Sequence, residues 1–94
     1  MEIDKTISAL NSDLRREILK VLAENTYTVL EILNKLKHKG LDVKYRETVY
    51  RALEKLVDAK LVEKMYIKGK GLCYKLSMSR LTIEIRKENI EITE

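Results

Sequence analysis

Within "KYRETVYRALEKL", residues 44–56, hydrogen-bond donors crowd one short segment: Lys44, Tyr45, Arg46, Thr48, Arg51 and Lys55. The guanidinium of Arg51 can donate two parallel bonds to the O6 and N7 of a guanine, or grip a phosphate. Lys44 and Arg46 offer positive charge, Thr48 a methyl for thymine or a hydroxyl for phosphate, and Tyr45 a hydroxyl. Glu47 departs from this pattern, because its carboxylate repels phosphate. It either pairs with a neighbouring cation such as Arg51 or accepts from a cytosine amino group. Tyr50 is ambiguous from its position alone. Further on, Lys68 and Lys70 alternate with Gly69 and Gly71 in "KGKG". Lysine there adds affinity for a polyanion without selecting a base, and glycine lets the backbone approach closely. A solvated helix surface and an ordinary exposed hairpin tip are the plainer readings of the same residues.

Other chemistries lack their parts. The chain contains one His, His38, and one Cys, Cys73. They are too few for a disulfide or for a structural zinc site within one chain. No glycine-rich phosphate loop opens a helix and no nucleophile–His pair stands out, so no enzyme, catalytic residue, metal or cofactor is expected. Cys73 lies between Leu72 and Tyr74 and reads as a packing residue. No apolar run approaches the roughly 18 residues of a membrane helix, and no signal-peptide pattern opens the chain. A cytoplasmic protein without a membrane partner is the expectation.

The 94 residues, 45% hydrophobic and 36% charged, suit one soluble domain and argue against disorder. The net charge of +4 is unevenly spread. Residues 35–75 hold 12 Lys and Arg against 5 Asp and Glu, a balance of +7. Residues 1–34 balance to −2 and residues 76–94 to −1. Clustering of this kind is the electrostatic footprint of a polyanion partner.

The elements that must position these residues follow from the apolar spacing. Ile3, Ile7 and Leu10 predict a leading helix in residues 1–10. In "NSDLRREILKVLAEN", Asn11 or Ser12 can cap a helix whose apolar face is Leu14, Ile18, Val21 and Leu22, with Asn25 as a left-handed stop. Thr28 and Glu31 have capping-box spacing and open a second helix, with Val29, Leu30, Ile32, Leu33 and Leu36 as its buried face. Gly40 ends that helix, and Leu41 folds back on its last turn. The third helix carries the donor-rich segment, and Val49, Ala52, Leu53, Leu56 and Val57 form its core stripe. Thereafter "LVEKMYI" and "LCYKL" predict a hairpin around "KGKG". In residues 78–94, alternation of Leu81, Ile83 and Ile85, resumed at Ile90 and Ile92, predicts a second hairpin that pairs Ile83 with Ile92 and Ile85 with Ile90; a terminal helix is the alternative, since Glu84 and Glu88 are four apart.

The predicted fold class is therefore α+β: a winged helix-turn-helix in residues 11–77, with three core helices, a β-hairpin wing and an extra C-terminal β-hairpin. The segments "ALNSDLRREILKVL" and "TVYRALEKLVDAKLVEK" carry a resemblance. The first is similar to the "aLsdptRreILklL" pattern of ArsR-like winged-helix repressors. The second resembles the "TvYraLkrLeeaGLv" pattern of winged-helix regulators, PadR-like proteins among them. Together they cover roughly residues 9–76 and point to an archaeal or viral type of regulator. The resemblance implies a homodimer that binds double-stranded DNA, a recognition helix at about 45–58 in the major groove, Tyr50 packed partly under that helix, and a wing loop at 68–71 on the backbone or minor groove. Alternatives are a protein-interaction module of the same fold, or a non-specific DNA- or RNA-binding protein. Three departures limit the carry-over. The Cys-containing motif of ArsR-type metal sensors is missing, Lys60 stands where relatives often have Gly, and residues 77–94 do not resemble a dimerisation helix. The apolar excess in Ile3, Ile7, Ile83, Ile85, Ile90 and Ile92 is the chain's own sign of a second copy.

Overall fold

Among the described residues, two helices begin where a side chain satisfies backbone N–H groups that the first turn leaves without partners. In the computed structural model, which describes residues 8–77, the hydroxyl of Ser12 accepts from the backbone N–H of Arg15 at 3.3 Å and opens α1 (Asp13–Leu22). A two-residue strand, β1 (Tyr27–Thr28), leads directly into α2 (Val29–His38). There Thr28 and Glu31 close the reciprocal capping box: the Glu31 N–H donates to Thr28 Oγ1 at 3.2 Å, and the Thr28 N–H donates to Glu31 Oε1 at 2.9 Å. Such caps contribute about 1 kcal/mol each. The third helix, α3 (Arg46–Asp58), starts at Tyr45 without a side-chain cap. Ahead of α1, residues 8–10 are helical, and Arg15 closes that turn by donating to the carbonyls of Ala9 at 2.7 Å and Ser8 at 3.1 Å.

The strands β2 (Val62–Ile67) and β3 (Gly71–Leu76) form an antiparallel hairpin, in register from Val62 opposite Leu76 to Ile67 opposite Gly71. β1 pairs with the far edge of β3, Tyr27 opposite Tyr74 and Thr28 opposite Cys73, giving the sheet order β1-β3-β2. The core lies between the three helices and this sheet. Ile18 and Leu19 from α1, Ile32 and Leu36 from α2, Val49, Leu53 and Leu56 from α3, and Tyr74 from β3 are fully buried there. Helix order, hairpin and sheet together make a winged helix-turn-helix. Cys73 is buried, as a packing residue should be.

Some expectations need correction. Leu30, expected in the buried face of α2, is 51% exposed, because the core meets only the Ile32–Leu33–Leu36 side. Asn25 is no left-handed stop: α1 ends at Leu22 with Ala23 as a right-handed cap, and the Asn25 side chain instead accepts from the Thr26 N–H at 2.7 Å. The strand β1 was not anticipated. The C-terminal hairpin and the start of the leading helix lie outside the described residues.

The same closure ends α2 and α3. At Gly40 (φ 88°) the N–H donates to the Lys37 carbonyl at 2.9 Å, and the next N–H, of Leu41, reaches back to the Leu36 carbonyl at 3.1 Å. Leu41 packs against the core, as its fold-back requires. At Lys60 (φ 63°) the pattern repeats, with Lys60 N–H to the Val57 carbonyl at 2.9 Å and Leu61 N–H to the Leu56 carbonyl at 3.0 Å. This six-to-one closure needs a left-handed residue, which glycine adopts freely and lysine at a cost of about 1–2 kcal/mol. Lys60→Gly should therefore stabilise the chain by about 0.5–1 kcal/mol, after allowing for the greater backbone entropy glycine loses on folding. Thermal unfolding should show a rise of a few degrees; an unchanged or lower midpoint would mean that Lys60 is not strained.

Candidate nucleic-acid interface

Burial of one stripe sets the rotation of α3 about its axis. With Val49, Ala52, Leu53 and Leu56 in the core, the residues between them must face water. Arg46, Glu47, Thr48, Tyr50, Arg51 and Lys55 are all exposed, as are Lys44 and Tyr45 just ahead of the helix. Tyr50 corrects an expectation: it is 42% exposed instead of tucked under the helix. Together with Val29, Tyr45, Arg46 and Glu47 it lines an open groove where α3 begins beside the start of α2. The available signal was helical spacing: Tyr50 stands three residues after Glu47 and four after Arg46, on the polar side of the helix.

Two of the expected cations are held by carboxylates. Arg51 Nη2 donates to Glu47 Oε1 at 2.6 Å, one helical turn back. Lys70 Nζ in the wing turn lies 3.1 Å from Glu31 Oε1, the oxygen that also accepts from Thr28 in the capping box. Lys44, Arg46, Lys55 and Lys68 make no ion pair among the described residues. Lys68 stands at the wing tip, in a turn closed by Lys70 N–H to the Ile67 carbonyl at 2.9 Å and bordered by left-handed Gly69 and Gly71. Lys55 is set apart. It follows Arg46 by nine residues, about 13 Å along the helix, and lines a separate cleft with Ser8, Ala9, Asp58 and Ala59. The structure thus brings Tyr45, Arg46 and Tyr50 to one groove, and places Lys55 at the other end of α3.

Among the described residues, two charged contacts tie the wing to the helix layer. Besides Lys70–Glu31, Lys64 on β2 donates to Glu54 Oε1 on α3 at 3.3 Å and lies 3.0 Å from Oε2. That hydrogen bond from Lys64 to Glu54 holds the lysine pKa above its ordinary value. Burial of Tyr74, with the Glu54 charge nearby, pushes its phenol up as well. Glu31 is held below the ordinary carboxylate range, first by the backbone N–H of Thr28 and then by Lys70. Burial pushes Glu17 up, but the hydrogen bond from Lys39 and the charges of Lys20 and Lys39 outweigh it, so its pKa falls. The Glu17–Lys39 contact, 3.2 Å, joins α1 to the end of α2 and gives Lys39 a structural partner.

The chain matches the Ferric uptake regulator family over residues 9–91. A search of the curated proteins returned no match. Among solved structures, HlyU from Vibrio cholerae N16961 is similar at 20% identity and a TM-score of 0.73, with 94% of each chain covered. The transcriptional repressor BigR from Xylella fastidiosa is similar at 18% identity and TM-score 0.69, covering 90% of this chain and 77% of that one. The ferric uptake regulator from Francisella tularensis, solved with iron, is similar at 24% identity and TM-score 0.62, covering 73% of this chain and 54% of that one. At these identities the three likenesses establish the fold.

The donor set of the described residues does not fit a resident iron or zinc ion. His38 and Cys73 are its single His and Cys. The Cys73 thiol is buried and donates to the Gly71 carbonyl at 3.6 Å, while His38 is exposed at the end of α2. No group of three or more His, Cys, Asp or Glu is arranged to hold a metal among the described residues. Dialysis against a chelator should leave the thermal midpoint unchanged; a drop restored by zinc or iron would contradict this.

Glu17 and Glu31 have depressed folded-state pKa values, so each contributes stability above its unfolded value, about 4.3, that is lost as pH falls through the folded one. Urea midpoints should drop on acidification below about pH 4.3. Glu31→Gln, which keeps the capping geometry, and Glu17→Gln should each flatten that drop. An unaltered acid slope in the double variant would show that neither pair contributes.

Proposed function

Because the chain belongs to the Ferric uptake regulator family and has the fold of a winged-helix transcription regulator, we propose that it binds a specific site on double-stranded DNA. In this reading α3 enters the major groove amino end first, and the wing loop, residues 68–71, rests on the adjacent backbone or minor groove. Arg51 donates to a guanine edge or a phosphate, and Arg46 and Lys44 hold the duplex at the helix start. Thr48, Tyr45 and Tyr50 supply hydroxyl and apolar contact to bases and sugar-phosphate. Lys68 and Lys70 contribute charge from the wing, and Lys55 reaches only flanking phosphate. The observation that carries the reading is the complete burial of Val49, Leu53 and Leu56 beneath an outer face of exposed donors. A helix so anchored presents those donors in a fixed array.

A homodimer completes the proposal. Two recognition helices about 34–36 Å apart would select a pseudo-palindromic site, and the protein would act in the cytoplasm. Arg51→Ala should cost about 1–3 kcal/mol on a duplex selected in vitro and relax base preference at one position. Lys68→Ala should weaken selected and random duplexes alike and reduce the salt slope by about 0.9. Equal loss on both duplexes from Arg51→Ala would make it a phosphate contact only. Absence of duplex binding at low salt would overturn the proposal and favour an acidic protein as the partner of the basic face.

A further inference from the structure

Glu47 is a carboxylate within the surface that a duplex must cover. It sits in the first turn of α3, its side chain 71% exposed, and lines the same groove as Tyr45, Arg46 and Tyr50. Among the described residues it accepts a hydrogen bond from Arg51, whose side chain is itself 76% exposed. An exposed pair of this kind adds little to stability. On a DNA-facing helix its consequence is larger. Non-specific binding is driven by phosphate charge and is indifferent to sequence, so to that mode Glu47 offers only repulsion. Water leaving the interface would also leave the carboxylate without a donor unless Arg51 or a base supplies one.

Only one kind of base pair supplies both partners. In the major groove a G·C pair presents the O6 and N7 acceptors that suit Arg51 and the cytosine N4 amino group that suits Glu47. An A·T pair places an amino donor and a single nitrogen acceptor on adenine, with a carbonyl acceptor and a methyl on thymine, and leaves the guanidinium fork without its two acceptors. The four-residue spacing between Glu47 and Arg51, about 6 Å along the axis, reaches one base pair or two adjacent ones. The hydrogen bond between them also orients the guanidinium before DNA arrives, so less side-chain freedom is lost on binding.

We propose that Glu47 is a specificity-determining residue: it penalises arbitrary duplexes, and with Arg51 it selects a G·C pair in the bound site. This rests on the DNA-reading proposed above. Discrimination of this sort works by making the wrong partner worse.

The test measures binding of the full chain, by fluorescence anisotropy at two salt concentrations, to a random duplex and to the duplex most enriched by in vitro selection. Glu47→Gln keeps the shape and removes the charge. It should bind the random duplex several-fold tighter and lower the ratio of selected to random affinity by about tenfold, within the range for loss of one base-pair preference. Arg51→Lys keeps the charge and loses the fork, and should lower the same ratio while random-duplex affinity stays level. Equal changes on both duplexes from Glu47→Gln, or none on either, would overturn the proposal and leave Glu47 as a helix-surface ion pair. Enrichment of duplexes without a G·C pair at the Arg51-dependent position would also overturn it. Failure of the unsubstituted chain to bind either duplex would overturn the DNA reading itself, a result distinct from the other two.

Discussion

The rotation of α3 is the constraint on which the rest of the molecule depends. Val49, Ala52, Leu53 and Leu56 are buried on one side, and this leaves the helix one orientation in which its apolar surface is out of water. Turning it by the 100° of one residue would expose three large side chains, each worth about 1.5–3 kcal/mol of burial, and bury arginine. The outward array of Tyr45, Arg46, Thr48, Tyr50 and Arg51 is therefore a product of core packing, as much as the core itself. No residue of the array needs to contribute to folding, which leaves its chemistry free for a partner.

Position along the axis comes from the ends. The closures at Gly40 and Lys60 return the chain tightly to the core, the first bringing it from α2 toward α3 and the second from α3 into β2. Two charged contacts then tie the wing to the helices: Lys64 to Glu54 on α3, and Lys70 to Glu31 on the first turn of α2. Glu31 does two jobs with one oxygen, completing the cap of α2 and holding the wing. The two ties differ in what they leave available. Lys68, beside Lys70 in the same turn, makes no ion pair among the described residues and is the wing's unencumbered charge. Family membership adds the regulatory context, and this chain carries a single His and a single Cys.

Much of this was legible in the amino-acid sequence because it is local chemistry. The Thr28–Glu31 box, the Gly40 stop with Leu41 behind it, the α3 stripe and the hairpin around "KGKG" each depend on residues a few positions apart. What escaped depends on distant partners. β1 is only two residues long, too short for any period, and exists because β3 offers it an edge. Leu30 has the right spacing for the core but lies beyond the rim of what the other elements cover. Asn25 suits a left-handed stop by type, yet α1 ends three residues earlier, at Leu22. Tyr50 was read through the family resemblance as packed, when its spacing of three and four residues from Glu47 and Arg46 already put it on the polar side. The likeness to ArsR-like and PadR-like proteins identified the winged fold, while the family match is to the ferric uptake regulators. Segments shared across winged helices do not separate such families. The partners of Arg51 and Lys70 were open in the sequence for the same reason: rotamers and tertiary neighbours decide them.

The exposed side of α3 and the wing tip are proposed to form one duplex-binding surface. Amide chemical-shift mapping of the isotopically labelled chain during titration with a short duplex tests it most directly. The account predicts that the largest perturbations fall in residues 44–51 and 68–70, with the α1 surface around Glu17 and Lys20 unaffected. Perturbations centred on α1, with residues 44–51 unmoved, would contradict it.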